Sequence, residues 1–201
     1  MDLLNFPLLK TFQIKEETIN MDLLNFPLLK TFQIKEETIN FLNEKFEKYS
    51  LEQELFPAEN VIYISNTGVH TTNLCEWNDE DYLCFMKDDL LDICSNQLNI
   101  DKRNIGIHFT HFFDYRKGGE VHLHNHINNE DYVMIIYVNT CSKGDTVFYL
   151  NHHPDYKHRT KVKLKPTKGL GSIFSSMLFH EAEFTDEPKR IFVVGIKIYL
   201  D

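Results

Sequence analysis

The sequence predicts a mainly β domain with flanking helices (α+β), built as a double-sheet jelly roll. From residue 105 onward, apolar residues tend to recur at every second position, and β-branched and aromatic residues dominate. Turns rich in glycine, asparagine and charged residues divide this region into eight short segments, which is typical of a jelly roll, also called a double-stranded β-helix. The predicted strands are 105–115, 120–126, 132–139, 145–150, 160–165, 171–175, 178–184 and 190–199.

The region before residue 105 predicts helices that support one sheet. Residues 79–98 have the strongest helical pattern, because Asp79 can cap the start and acidic residues fill the first turn. Residues 22–34 predict a short strand that enters a helix, and residues 61–64 are strand-like. Apolar residues at helical spacing mark the two buried helix faces. They are Ile39, Leu42 and Phe46 in the first helix, and Leu83, Met86, Leu90, Ile93 and Leu98 in the second.

Residues 1–20 recur without change as residues 21–40. A natural repeat would have drifted, and two copies of twenty residues do not make a repeat architecture. We interpret the first copy as a very recent duplication or an artefact. The sequence therefore predicts three segments: the duplicated residues 1–20, a helical and strand-containing support region at 21–104, and the jelly-roll core at 105–201.

Composition and charge limit the partners of the chain. Its 201 residues carry a net charge of −9 without a basic stripe, which argues against duplex nucleic acid. No apolar run is long enough to span a membrane, and Asp2, Pro7 and Lys10 are unlike a signal peptide. The four cysteines form no CxxC pair, which favours free thiols and a cytoplasmic location.

Three histidines are the strongest candidates for a metal site. His124 and His126 are two residues apart on a predicted strand, so both can point to one face, and His180 can supply a third ligand from a neighbouring strand. Three side chains on one face, with open positions opposite, are typical of non-heme iron sites. His122 has the same strand parity, so the pair His122/His124 is an alternative.

Arg190 is a candidate anion anchor. It precedes the apolar residues 191–196, so we expect it to be partly buried and to have an anionic partner.

These residues also carry a family resemblance over about residues 105–199. The chain resembles the iron(II)- and 2-oxoglutarate-dependent oxygenases of the prolyl-hydroxylase-like branch. Residues 174–180 are similar to a segment of oxygenases proposed for marine bacteriophages, which also have His-x-His in place of His-x-Asp. The matching positions are Tyr115, Gly118, Val121, His124 and His126, then Tyr137-Val138-Asn139, then Gly144, Thr146 and Phe148, and finally His180 and Arg190.

The resemblance implies iron(II) on His124, His126 and His180, with O2 and 2-oxoglutarate as co-substrates. It implies that Arg190 binds the distal carboxylate of 2-oxoglutarate, that Tyr137 adds a hydrogen bond, and that an unidentified substrate is hydroxylated. The carboxylate ligand of the family is a histidine here. A nearby acid, Glu130 or Asp131, is therefore an alternative second ligand.

Two other functions fit parts of the pattern. Gly118, His124, His126 and Glu130 have the spacing of the first cupin motif, which would imply a three-histidine metalloenzyme that does not use 2-oxoglutarate. The second cupin motif is absent before His180. A non-catalytic binding module of the same fold is the remaining alternative. Neither the substrate nor the oligomeric state follows from the sequence.

Overall fold

The computed structural model describes residues 28–57, 68–151 and 154–199. Its helices in these ranges are α1 (Glu36–Glu52), α2 (Glu80–Phe85) and α3 (Leu91–Leu98), and a π-helical turn (Met86–Leu90) joins α2 to α3. The strands are β1 (Leu29–Gln33), β2 (Phe56–Pro57), β3 (Gly68–His70), β4 (Ile105–Tyr115), β5 (Val121–His124), β6 (Tyr132–Tyr137), β7 (Thr146–Tyr149), β8 (Lys161–Leu164), β9 (Leu170–Ser175), β10 (Phe179–Ala182) and β11 (Lys189–Ile198).

The strands form two antiparallel sheets. The larger sheet has the order β1-β9-β6-β11-β4-β3-β2, and the smaller has the order β5-β10-β7-β8. Strands β4 to β11 correspond one by one to the eight strands predicted from residue 105 onward. From β4 to β11, consecutive strands alternate between the two sheets except for β7 and β8, which pair within the smaller sheet. The chain therefore winds as a double-stranded β-helix, and the predicted jelly roll is confirmed.

Each face of the larger sheet has its own apolar cluster, because side chains alternate along a strand. One face packs against the helices and includes Phe112 of β4, Phe192 of β11 and Phe46 of α1. The other face turns toward the smaller sheet and includes Val133 of β6 and Val193 of β11. The alternation along β4 and β11 therefore decides which side chains meet the helices and which lie between the sheets.

The support region predicted at 21–104 also adds strands to the larger sheet. β1 pairs with β9, from Leu29↔Phe174 to Gln33↔Leu170, and β3 pairs with the end of β4. The sequence predicted a strand near β1 but not its partner, because that partner is about 140 residues away. The predicted strand at 61–64 and the first copy of the duplication lie outside the described residues.

The helix predicted at 79–98 contains a π turn. Asp79 accepts a hydrogen bond from the backbone N–H of Tyr82 at 2.7 Å, as expected of a capping residue. The π turn adds one residue to the helical repeat. The buried face after it therefore continues through Leu90, Cys94 and Leu98, while Ile93, predicted on that face, is only partly buried.

Asp79 also ties α1 to α2. Lys45 Nζ lies 2.7 Å from Asp79 Oδ1, and Lys48 Nζ lies 2.6 Å from Oδ2, with the Lys45 and Asp79 side chains almost fully buried. Burial alone would raise the pKa of Asp79. The hydrogen bonds from the two lysines outweigh that effect and lower the pKa to about 2. The helical layer is thus held together by a buried charge cluster as well as by apolar contacts.

The predicted free thiols are confirmed, since Cys75, Cys84, Cys94 and Cys141 form no disulfide. Among the described helices, none has the length and apolar character needed to cross a membrane.

Candidate metal centre

A cavity of about 320 Å³ lies between the two sheets. Its larger-sheet wall is mostly apolar and comes from β4, β6 and β11. The smaller-sheet wall includes His124 of β5 and His180 of β10, and the larger-sheet wall adds two polar side chains, His111 of β4 and Lys189 of β11. Apolar side chains of the larger sheet that line the cavity are Phe109, Phe113, Val133, Ile135, Ile191 and Val193.

The structure brings the three predicted histidines together at this cavity. His124 and His180 are opposite each other in the β5–β10 pair, with ring centroids 4.2 Å apart. His126 follows β5, and its backbone N–H donates to the carbonyl of Ser176 at 2.9 Å, which fixes its place beside them. One ligand atom from each histidine lies within 4.8 Å of the others. Three imidazole nitrogens at this separation can share one metal ion.

Hydrogen bonds orient two of the three rings. His124 Nδ1 lies 2.8 Å from the carbonyl oxygen of His122, and His180 Nδ1 lies 3.1 Å from that of Leu178. A carbonyl oxygen can only accept, so each Nδ1 carries the proton and donates it, and the lone pair of the ring is on Nε2. His124 and His180 are therefore set to bind a metal through Nε2.

All three histidines are neutral near pH 7, as metal ligands must be. Burial lowers the pKa of His124, and burial together with the neighbouring His124 lowers the pKa of His126 to about 4. Burial also lowers the pKa of His180 well below its usual range, and the two other imidazoles add to that shift. The three rings therefore carry no net charge near pH 7.

His122 does not share the face of His124, contrary to the expectation from strict alternation. The β5–β10 pairing shifts register between His180↔His124 and Ala182↔Val121, so two residues of β5 are opposite one residue of β10. This β-bulge re-aims the strand. Val121 and His124 line the cavity, whereas His122 is exposed.

The two alternative acids occupy different places. Asp131 Oδ2 accepts a hydrogen bond from the backbone N–H of Ile198 at 2.8 Å, so it anchors the end of β11. Glu130 is nearly fully buried, and its Oε2 lies 3.7 Å from His126 Nδ1. Neither carboxylate belongs to the group of close ligand atoms.

Arg190 lies away from the cavity, on the helix-facing side of the larger sheet, which corrects its expected position. Its guanidinium contacts Glu47 at 2.9 Å and Asp114 at 3.2 Å, and it lies 3.7 Å from the ring centroid of Phe46. The anionic partners expected for a half-buried arginine are therefore present, but they are protein carboxylates.

Lys189, the preceding residue, points into the cavity instead. Neighbouring residues of a strand face opposite sides, and Lys189 shares its side with Ile191. The Lys189 side chain is 1% exposed, and its Nζ donates to the carbonyl of Gly144 at 3.0 Å and lies 4.9 Å from the Tyr115 ring centroid. Burial lowers the pKa of Lys189 to about 8. The period-two pattern Lys189, Ile191, Val193 was the sequence signal for this residue.

Tyr137 is fully buried next to the cavity and reaches it through Thr146. The Tyr137 hydroxyl donates to Thr146 Oγ1 at 2.6 Å, and Thr146 lines the cavity wall. Since Thr146 Oγ1 accepts this bond, its own hydroxyl hydrogen can be donated to another group. The sequence pattern includes Thr146 in a motif but does not predict its position at the cavity wall.

Solved structures with the same fold include 2-oxoglutarate-dependent enzymes. The non-heme alpha ketoglutarate dependent carbocyclase SnoK from nogalamycin biosynthesis aligns with a TM-score of 0.66 at 10% identity, covering 92% of this chain and 86% of SnoK. The epimerase SnoN, in complex with Fe3+, alpha ketoglutarate and nogalamycin RO, aligns with a TM-score of 0.65 at 7% identity, covering 85% of this chain and 79% of SnoN. A Pseudomonas putida prolyl-4-hydroxylase aligns with a TM-score of 0.60 at 16% identity, covering 89% of this chain and 96% of its own.

Identities this low establish the fold alone. The fold is the jelly roll of the 2-oxoglutarate and iron(II) oxygenases. No protein-family model and no curated protein sequence matches the chain. The similarity to bacteriophage oxygenases stays a prediction.

Proposed function

We propose that the protein is an iron(II)- and 2-oxoglutarate-dependent oxygenase that hydroxylates a substrate still to be identified. One observation carries the proposal: a cluster of three neutral histidines and a buried lysine face the same cavity of this fold. The histidines supply ligands for a metal, and the lysine supplies a counter-charge for an acidic co-substrate. A non-catalytic module would have no evident use for both groups.

The donor set fits iron(II). Imidazole nitrogens bind divalent iron, and a cluster on one side of the cavity leaves positions for exchangeable ligands. His124, His126 and His180 would hold the metal through nitrogen atoms that already lie within 4.8 Å of one another. When bound, iron and 2-oxoglutarate would supply the chemistry that uses O2 to hydroxylate a C–H bond and converts the keto acid to succinate and carbon dioxide.

Lys189 would bind the distal carboxylate of 2-oxoglutarate. Within the described parts of the chain, its ammonium group has a backbone carbonyl and an aromatic ring as partners but no carboxylate at ion-pair distance. A buried cation in this state gains most from an anionic ligand, because charge-assisted hydrogen bonds are stronger in a site that excludes water. The hydroxyl of Thr146, oriented by Tyr137, would donate a second hydrogen bond.

The residues of the larger sheet would keep water out of the reaction. Phe109, Phe113 and Val193 form part of the apolar wall. Exclusion of water strengthens electrostatic contacts inside the cavity and prevents side reactions. The asparagines Asn125, Asn128 and Asn129 also line the cavity and offer neutral hydrogen-bond donors and acceptors to a substrate.

The adjacent pair Lys189 and Arg190 gives the sharpest test. Anaerobic titration of the iron-loaded protein with 2-oxoglutarate should produce the visible band of the chelate. We expect Lys189→Ala to weaken this binding by about 10- to 150-fold, the equivalent of roughly 1.5–3 kcal/mol for a bond to a charged group. Arg190→Ala is the matched control: it should retain co-substrate affinity but lower thermal stability, because Arg190 links α1 to the sheet.

Each alternative has its own outcome in this experiment. Loss of 2-oxoglutarate binding in Arg190→Ala but not in Lys189→Ala would identify Arg190, the residue predicted from the sequence, as the anchor. If the parent protein binds iron but not 2-oxoglutarate, the oxygenase proposal fails, and a three-histidine metalloenzyme without this co-substrate becomes the better account. A protein that binds neither would be a binding module.

A further inference from the structure

Glu130 is the buried charge that the proposed reaction leaves unexplained. Its side chain is 2% exposed, and only one of its two carboxylate oxygens has a hydrogen-bond partner: Oε1 lies 2.8 Å from His108 Nδ1. Oε2 is buried and has no hydrogen-bond partner in the described structure. A buried carboxylate oxygen without a donor is costly, so this arrangement calls for a physical reason.

The orphaned oxygen faces the one metal-site histidine whose Nδ1 has no carbonyl partner in the described structure. His126 Nδ1 lies 3.7 Å from Glu130 Oε2, which is too long for a hydrogen bond. The other two rings already donate their Nδ1–H to carbonyl oxygens at 2.8 and 3.1 Å. In the described structure, His126 Nδ1 and Glu130 Oε2 thus both lack a hydrogen-bond partner. The distance between them is less than 1 Å longer than a hydrogen bond.

The fold holds the carboxylate in this place from both sides. The backbone N–H groups of Asn129 and Glu130 donate to the carbonyl of His126 at 3.0 and 3.3 Å, which forms a tight turn between the two side chains. On the other side, Glu130 packs against Gly195 of β11. A Cβ at this position would lie 2.9 Å from Glu130 Cγ. A larger residue at 195 would therefore press on the acid.

A metal ion on the three histidines would explain the buried carboxylate of Glu130. Three neutral imidazoles leave the full charge of a divalent ion uncompensated, whereas a ring that donates its second N–H to a carboxylate is a better donor and is held in one orientation. Resting on the metal site proposed above, we propose that Glu130 is a positioning residue. It accepts the Nδ1–H of His126 when that ring turns onto the metal, and so places a negative charge next to a site whose direct ligands have none.

Cobalt(II) binding tests this role without any need for turnover. Affinity is measured by competition titration, and the visible ligand-field spectrum reports the metal environment. We expect Glu130→Gln, which keeps the shape and an acceptor but loses the charge, to weaken cobalt binding by about 10- to 100-fold. Glu130→Ala should weaken it further. Glu183→Gln removes the same charge from a half-exposed site paired with Lys163, and should leave the affinity unchanged.

Proton NMR of the cobalt protein provides the readout that a purely structural role would not move. Three exchangeable imidazole N–H signals, shifted by the metal, are expected in the parent, and one of them should shift or exchange faster in Glu130→Gln. His108→Ala distinguishes the roles of the two carboxylate oxygens. It removes the partner of Oε1, and it should change the cobalt affinity less than Glu130→Gln does. Equal losses in both variants would show that Glu130 only connects β4 to the turn, and would overturn the proposal.

Two other results also decide the question. Parent-like affinity and an unchanged N–H spectrum in Glu130→Gln would show that the carboxylate does not act on His126. A parent spectrum that indicates a directly bound carboxylate, lost in Glu130→Ala, would make Glu130 a ligand and would likewise overturn the positioning role. Failure of the parent to bind cobalt at all would contradict the proposed metal site itself, which is a different outcome from either of these.

Discussion

His126 and His122 have the same spacing from His124, but the bulge in β5 separates their surroundings. His126 lies at the cavity, and His122 is exposed. We expect His126→Ala to lose far more iron affinity than the ~10–100-fold typical of a residue that only supports a ligand. His122→Ala should remain close to the parent, because its backbone carbonyl, which orients His124, is kept. Iron titrations of the two variants measure the difference. A larger loss of iron affinity in His122→Ala than in His126→Ala would move the metal site by two residues.

If Lys189 anchors 2-oxoglutarate as proposed, binding of this co-substrate should depend on pH. Burial lowers its pKa to about 8 from 10.5, so the ammonium form is lost as pH rises through about 8. If only that form binds 2-oxoglutarate, the dissociation constant should increase by about tenfold between pH 7 and pH 9. A titration series across this range measures the effect, and Lys189→Arg, which stays charged, should flatten it. A flat profile in the parent would contradict an anchoring role for Lys189.

The lowered pKa of Lys189 also affects the stability of the protein without ligand. Here the effect of pH is opposite: high pH weakens binding of 2-oxoglutarate but favours the folded state. The folded pKa of Lys189 lies below the unfolded one, so the unfolded chain binds more protons between about pH 8 and pH 10.5. The contribution of Lys189 to the free energy of unfolding therefore increases with pH across that window.

At the scale of elements, Asp79 joins α1 to α2. In Asp79→Ala the cap of α2 is lost, and the carboxylate left to Lys45 in the described structure is that of Asp81, an exposed partner at 3.1 Å. Removing one member of a buried pair should lower the free energy of unfolding by roughly 3–5 kcal/mol. Asp81→Ala, the matched control, should cost about 1 kcal/mol or less. Denaturant unfolding of both variants measures the difference, and equal effects would mean that the pair is not buried in solution.

Acid should weaken the same junction. The pKa of Asp79 is lowered to about 2 from 3.8, so its contribution to stability is complete above about pH 4 and is lost as pH falls toward 2.

The elements that the sequence predicted correctly are those encoded by local pattern. Eight strands followed from period-two alternation and turn residues, and the histidine cluster followed from short spacings on such strands. The errors arise where pairing between distant segments decides the result. The bulge beside His122, the inward side of Lys189 and the pairing of β1 with β9 depend on partners tens to more than a hundred residues away.

At the scale of the whole molecule, the duplicated N-terminus should be dispensable. Deletion of residues 1–20 leaves an identical copy at 21–40, which contains the sequence of β1 and the start of α1. We expect the shortened chain to keep the melting temperature and the iron stoichiometry of the full chain. A fall of many degrees in the melting temperature would mean that both copies contribute to the fold.

The position of β11 has a consequence for how the molecule folds. This last strand of the described structure lies in the middle of the larger sheet, between β6 and β4, and pairs with β4 from Ile105↔Ile198 to Tyr115↔Lys189. Until it is inserted, β4 and β6 present open edges, and the apolar wall of the cavity is incomplete. Pairing across such sequence separations closes large loops and makes folding slow. We therefore expect the cavity that contains the three histidines to be completed late in folding, when β11 pairs with both β4 and β6.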